Sequence, residues 1–344
     1  MMEVTIYDVA EKAGVSIATV SKVINNTGNM RESTRGKVKK VMEQLNYQPN
    51  IMASALMGKG TKTIGLLIND ISNPIFSELS RIIEDRSHEK GYSVIICNTD
   101  DDVEKELKYL EVLQNKRVDG LIVGSSFKDK SKLNEMINLN VPLVMLTHMD
   151  EEVNASKVAV DDYKGGFIAT EHLLENGHRS IAIIAELADS SSKRIKGYLG
   201  ALESWGINHD PMLMKRISAS VENGMNQFLE LYKEHVENPP TAVFTSNDQI
   251  AIGVLLAAKK LNLSIPTDLS VIGFDDTILA KTAQPSLSTV AQPIAGMGKE
   301  VVDMLIDEIE TGDRSVKKII HDPTLIIRET TKVTSNQPCI NSDP

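Results

Sequence analysis

From Thr61 onward, short apolar, β-rich runs alternate with amphipathic helical stretches. TIGLLI (63–68) precedes PIFSELSRIIEDRSHEKG (74–91), whose Ile75, Leu79, Ile82 and Ile83 share a helical face. YSVIICNT (92–99) precedes VEKELKYLEVLQNKR (103–117), and VDGLIVGS (118–125), a helix and VPLVMLTH (141–148) follow. Strands that are apolar throughout need cover on both faces, and helices with one apolar stripe supply it. The βαβα order therefore predicts a doubly wound parallel sheet. The pattern restarts near SKVAVDD (156–162). It continues as helix 163–176, SIAIIAEL (180–187), helix 194–205, strand 213–219, helix 223–235, TAVFTS (241–246), helix 248–261 and LSVIGFDD (269–276). Two α/β lobes are expected, residues 61–161 with 291–322 and residues 162–290 with 323–333. The long helical stretch GMGKEVVDMLIDEIETG (296–312) returns to the first lobe.

Two such lobes with a cleft between them bind small molecules by hinge closure. Ligand residues belong in loops at the carboxyl ends of strands. NDISNPIF (69–76) puts Asp70, Asn73 and Phe76 at the mouth, KRIKGY (193–198) offers Arg194, SNDQIAIG (246–253) offers Asn247, and GFDD (273–276) offers Asp275. An arginine among amides and carboxylates suits a hydroxyl-rich ligand, and Arg194 can also clamp a phosphate or carboxylate. Asn and Asp cap helices as readily as they bind ligands, so Asp70 and Asn247 carry both readings. Asp248 reads as a helix cap, and Asp161 and Asp162 as hinge structure at the lobe crossover.

The first 60 residues differ in character. They carry a net +3 within a chain of net −10. Such a head can approach a polyanion that repels the body. In YDVAEKAGVSIATVSKVIN (7–25), Val9, Ala10 and Ala13 form one apolar face, Gly14 supplies a turn, and Ser16 caps a second helix with Val20, Val23 and Ile24 inward. A third helix over 33–45 adds Val38, Val41, Met42 and Leu45. Short polar residues and a cation at the exposed start of the second helix fit a helix-turn-helix in a DNA major groove.

TIYDVAEKAGVSIATVSKVIN (5–25) with TRGKVKKVMEQLNYQPN (34–50) resembles the DNA-binding head of the LacI/GalR (lactose/galactose repressor) family. The resemblance implies that Ile17, Ala18 and Lys22 read bases, and that Thr5, Tyr7, Ser16, Thr19, Ser21 and Asn25 lie near phosphates. Most members carry Arg where Lys22 stands. Lys lacks the planar fork that grips guanine. NIMASALMGKG (50–60) matches the family's hinge helix, which forms only on DNA; this assigns Asn50 and Ala53 to the DNA contact and makes Leu56 a minor-groove wedge. The rest, to about Val333, resembles the family's periplasmic-binding-protein-like core. The resemblance further implies a homodimer that acts as a repressor on a near-palindromic double-stranded DNA operator, with a sugar or sugar phosphate as effector. The catabolite-control branch, which the chain also resembles, implies a protein corepressor as an additional partner.

Other classes lack their signatures. There is no G-x-S-x-G, no phosphate-binding G-x-x-x-x-G-K-[ST], and no G-x-G-x-x-G after a strand, so neither an enzyme nor a cofactor is expected. His148, His172 and His178 lack metal-ligand spacing, and Cys97 and Cys339 lie too far apart in sequence for a zinc knuckle. No apolar run has the length of a membrane span or signal peptide, so a cytoplasmic protein is expected. The tail TSNQPCINSDP (334–344) reads as disordered.

Overall fold

A computed structural model describes residues 4–24, 27–47, 60–124, 126–147 and 151–331. The chain divides into two compact units, one ending at Thr61 and one beginning at Lys62.

The first unit is three helices, α1 (Ile6–Ala13), α2 (Ile17–Ile24) and α3 (Glu32–Gln44). Their apolar faces meet in a core of Val9, Ala10, Ala13, Val20, Val23, Val38 and Val41, with Val15, Met42 and Leu45 packed against it. Asp8 receives the Thr5 amide and hydroxyl, each at 2.7 Å, which opens α1 and lowers the Asp8 pKa. Gly14 ends α1 at φ 62°, the left-handed region where a side chain is costly. The Ser16 hydroxyl accepts the Thr19 amide at 3.2 Å and so starts α2.

The second unit contains two six-stranded sheets. The first comprises β1 (Thr63–Ile68), β2 (Ser93–Asn98), β3 (Gly120–Val123), β4 (Leu143–Leu146), β5 (Ser156–Val160) and β11 (Lys318–His321), in the order β11-β5-β4-β3-β1-β2, all parallel. The second comprises β6 (Ile181–Glu186), β7 (Met214–Ile217), β8 (Ala242–Thr245), β9 (Ser270–Asp275), β10 (Ser288–Ala291) and β12 (Thr324–Ile326), in the order β12-β10-β9-β8-β6-β7. Only β12 runs antiparallel to its neighbour. Helices α4 (Pro74–Glu89), α5 (Val103–Asn115) and α6 (Lys130–Asn138) accompany the first sheet in sequence. Helices α7 (Asp162–Glu175), α8 (Asp189–Ser204), α9 (Val221–Glu234), α10 (Asp248–Lys260) and the short α11 (Ile278–Thr282) accompany the second. Helix α12 (Ile294–Thr311) then packs on the first sheet through Met297, Val301, Val302 and Leu305, which join Leu79 and Ile83 of α4. The chain thus passes between the sheets after β5, after β10 and between β11 and β12.

Helices α7 and α8 touch backbone to backbone. A Cβ on Gly166 would lie 2.1 Å from the Arg194 carbonyl oxygen, and one on Gly197 would lie 2.1 Å from that of Tyr163. This approach sets the height at which Arg194 enters the space between the sheets. No helix among the described residues is long and apolar enough to cross a membrane.

Candidate functional site

In the three-helix unit, the face of α2 turned from its core carries the residues expected at DNA. Ser16, Ile17, Ala18 and Lys22 are exposed, and Thr19 and Ser21 half-buried. Thr5 and Tyr7, at the start of α1, are exposed as well, Tyr7 at 67%. Ile17 is 41% exposed, which leaves a β-branched apolar side chain in water unless a partner covers it. Ala18 and Lys22 are four residues apart and so share one helical face. Asn25, Asn50, Ala53 and Leu56 lie outside the described residues, as do most of the expected hinge and the tail 334–344.

Between the two sheets of the second unit lies a cavity of about 370 Å³. Asp70 and Asn73 line it from the loop after β1, Phe76 from the first turn of α4, and Arg194 and Asp275 from the second lobe. Their side chains differ in how far they are already engaged. Asp70 holds the Ser72 amide at 2.8 Å, and Asn73 caps α4 by accepting the Ile75 amide at 3.3 Å. Arg194 is 4% exposed, its Nε 2.9 Å from Asp162 Oδ1 and its Nη1 3.9 Å from Asp275 Oδ1. The same Nη1 donates to the Ser246 carbonyl, and the guanidinium lies 3.6 Å from the centroid of the Phe274 ring. Asp275 in turn accepts Gln292 Nε2 at 2.7 Å. Its φ of 110° is costly for a non-glycine residue, and such geometry persists where the surroundings enforce it.

Asn247 does not line the cavity. Its Oδ1 caps α10 by accepting the Ile250 amide at 2.9 Å, and its Nδ2 donates to Glu186 Oε2 at 2.9 Å. It therefore positions Glu186, which does line the cavity. Asp248 is not the cap expected of it. Its carboxylate accepts the Thr277 amide and hydroxyl and the Thr289 hydroxyl at 2.7–2.9 Å, tying the loop after β9 to β10. Asp161 caps α7 through the Lys164 amide at 2.9 Å, whereas Asp162, read from sequence as hinge structure, lines the cavity and pairs with Arg194. His178 bridges Thr241 and Ser270 at 2.9 and 3.0 Å and ties strands together.

Sequence reasoning passed over Glu186, Asp101 and Gln292, all at the cavity wall. Glu186 did leave a signal, a lone carboxylate closing the apolar run SIAIIA. Gln292 left none, because its place depends on which strand ends meet. Burial raises the pKa of Asp162, Glu186 and Asp275, opposed by the nearby Arg194 charge. Asp248 is pushed up to about 6, again by burial. Chemically, the cavity offers many acceptors and a guanidinium that is already held. It can bind a donor-rich molecule.

Residues 5–50 match the profile of bacterial regulatory proteins, lacI family, and residues 170–331 that of a periplasmic binding protein-like domain. The chain is 43% identical over 336 residues to the HTH-type transcriptional regulator DegA of Bacillus subtilis, covering 96% of this chain and 98% of the relative. Among solved structures, the lac repressor dimer bound to operator and the anti-inducer ONPF superposes with a TM-score of 0.85 at 30% identity, covering 96% of this chain and all of that one. A LacI family regulator from Enterococcus faecium with bound ribose superposes at 0.71 and 31% identity, covering 78% and 98%. The matches span both the helix-turn-helix unit and the two-sheet unit, and on them the chain belongs to the LacI family of DNA-binding transcriptional regulators.

Proposed function

We propose that this regulator is a cytoplasmic homodimeric repressor of a near-palindromic operator, and that a hydroxyl-rich small molecule of the sugar class, held in the inter-lobe cavity, sets its DNA affinity. The cavity carries this reading. Its walls come from both lobes, Asp70 and Asn73 from one and Arg194 and Asp275 from the other, so a bound molecule bridges the two sheets and changes their spacing. The ribose-bound relative supports a sugar in such a cavity, and the operator-bound lac repressor dimer supports the two-fold DNA partner. In a two-fold dimer, paired α2 helices read half-sites about one DNA turn apart. Residues 50–60 would relay the change in lobe spacing, with Leu56 as the wedge that kinks the operator centre. Coupling of this kind is typically worth about 1–3 kcal/mol, or about 5- to 150-fold in affinity.

The test begins by sequencing DNA fragments enriched by the full chain, then titrating one fragment with and without a panel of sugars. The expected result is a palindromic consensus, a log-log salt slope of about −0.9 per phosphate neutralised, and a sugar that shifts operator affinity. Lys22→Ala should weaken the enriched site more than random DNA. Equal loss on both kinds of DNA removes Lys22 from base reading, and a non-repeating consensus removes the dimer.

A further inference from the structure

The charge inventory of the cavity goes one step beyond the effector reading on which it rests. Six carboxylates line it: Asp70, Asp100, Asp101, Asp162, Glu186 and Asp275. Arg194 is the one cation among the described lining residues. Asp100 has an outside partner in Lys105. Arg194 is already engaged by Asp162, Asp275, the Ser246 carbonyl and the Phe274 ring. To clamp an incoming phosphate it would have to leave buried carboxylates unpaired, which is among the costlier changes a protein interior can undergo.

The hydrogen-bonding inventory points the same way. The hydrogen bonds to Glu186 come from neutral groups, Asn247 and, at 3.4 Å, Ser191, while the Arg194 charge that also acts on it is shared with Asp162 and Asp275. Asn69 Oδ1, buried after β1 at the facing wall, has no hydrogen-bond partner among the described residues. Acceptors at these positions need donors from the ligand. Hydroxyl and ammonium groups are donors, whereas a phosphate dianion or a sugar carboxylate offers only more acceptors.

We propose that the cavity selects a polyhydroxylated effector with no acidic group, that an amino group on it is favoured, and that Glu186 is a specificity-determining residue that excludes phosphate esters and sugar acids. The phosphate-clamping role open to Arg194 from sequence is thereby set aside for this chain.

The experiment is a thermal-shift and calorimetric comparison on the full chain. Its probes are neutral and amino mono- and disaccharides, each run beside its phosphate ester or uronic acid at matched ionic strength. At least one neutral or amino sugar should raise the Tm, and its acidic derivative should bind at least about tenfold more weakly, since like charges at close quarters oppose binding. Glu186→Gln, which keeps shape and removes charge, should narrow that ratio several-fold. An acidic derivative that outdoes its parent overturns the proposal. So does a panel in which no neutral or amino sugar shifts the Tm, or an unchanged ratio in Glu186→Gln. Operator retention read on the same samples separates the two claims. A sugar that obeys the charge rule yet leaves DNA binding unaltered supports this inference and refutes the effector reading beneath it.

Discussion

Gly166→Ala puts the contact between α7 and α8 to the test. The added methyl would lie 2.1 Å from the Arg194 carbonyl oxygen and 2.8 Å from its carbonyl carbon and Cα. That is roughly 1 Å inside the closest approach that real Cβ atoms make, and the opposing atoms are backbone, which cannot rotate away. The reciprocal close approach at Gly197, where an added Cβ would lie 2.1 Å from the Tyr163 carbonyl oxygen, keeps α8 from sliding clear. Two effects oppose. Alanine favours the helix by about 1 kcal/mol over glycine, while overpacking a close interior contact costs about 1–3 kcal/mol and more when backbone must move. The steric cost wins, for a net loss of roughly 1–2 kcal/mol. At about 2–4 °C per kcal/mol for a domain of this size, the Tm should fall by roughly 2–8 °C. Separation of the helices also lifts Arg194 away from Asp162, so sugar binding should weaken together with stability. Circular-dichroism melts and urea titrations of the full chain measure the first effect, and calorimetry with a binding sugar the second. An unchanged Tm would mean that the helix pair tolerates about 1 Å of separation, and would refute the close-packing argument.

Gly36→Ala should act in the opposite sense. A Cβ there meets nothing within 4 Å in the middle of α3, so the head should gain about 0.5–1 kcal/mol, read by hydrogen exchange of its amides. Ser16→Ala removes the side chain that accepts the Thr19 amide, and should cost the head about 1 kcal/mol by the same measurement. Burial lowers the His172 pKa to about 4 from an ordinary 6.5, so the unfolded chain takes up its proton first as pH falls. Stability should drop from pH 6.5 to 4 by roughly 3 kcal/mol for this group alone. Urea midpoints of wild type and His172→Gln across that range should converge as pH falls, and parallel curves would remove the imidazole from the account.

The local repeats were legible in the chain because they depend on neighbours in sequence. Val9, Ala10 and Ala13 share a helical face whatever else is present, and Gly14 and Ser16 make a turn and a cap from their own chemistry. Apolar runs such as TIGLLI and SIAIIA require cover on both sides, and that requirement leads to a parallel sheet. The cavity was legible only in outline. Asp70, Asn73, Phe76, Arg194 and Asp275 could be placed near it because strand ends converge in this architecture. The division of labour among the Asx residues could not be read in the same way. Capping and ligand contact use the same side-chain oxygen, so Asn247 and Asp248 could be told apart only once Glu186, Thr277 and Thr289 had been brought beside them from 29 to 61 residues away in the chain. Asp162 shows the same limit. It reads as crossover structure from its neighbours, and becomes the partner of Arg194 only because glycines at 166 and 197 let two helices meet at backbone distance. The amino-acid order specified which segments are helices and strands and which face of each is apolar, since propensity and periodicity act over a few residues. The tertiary structure decided which carboxylates surround Arg194, since burial and pairing are properties of atoms that only long-range packing brings together.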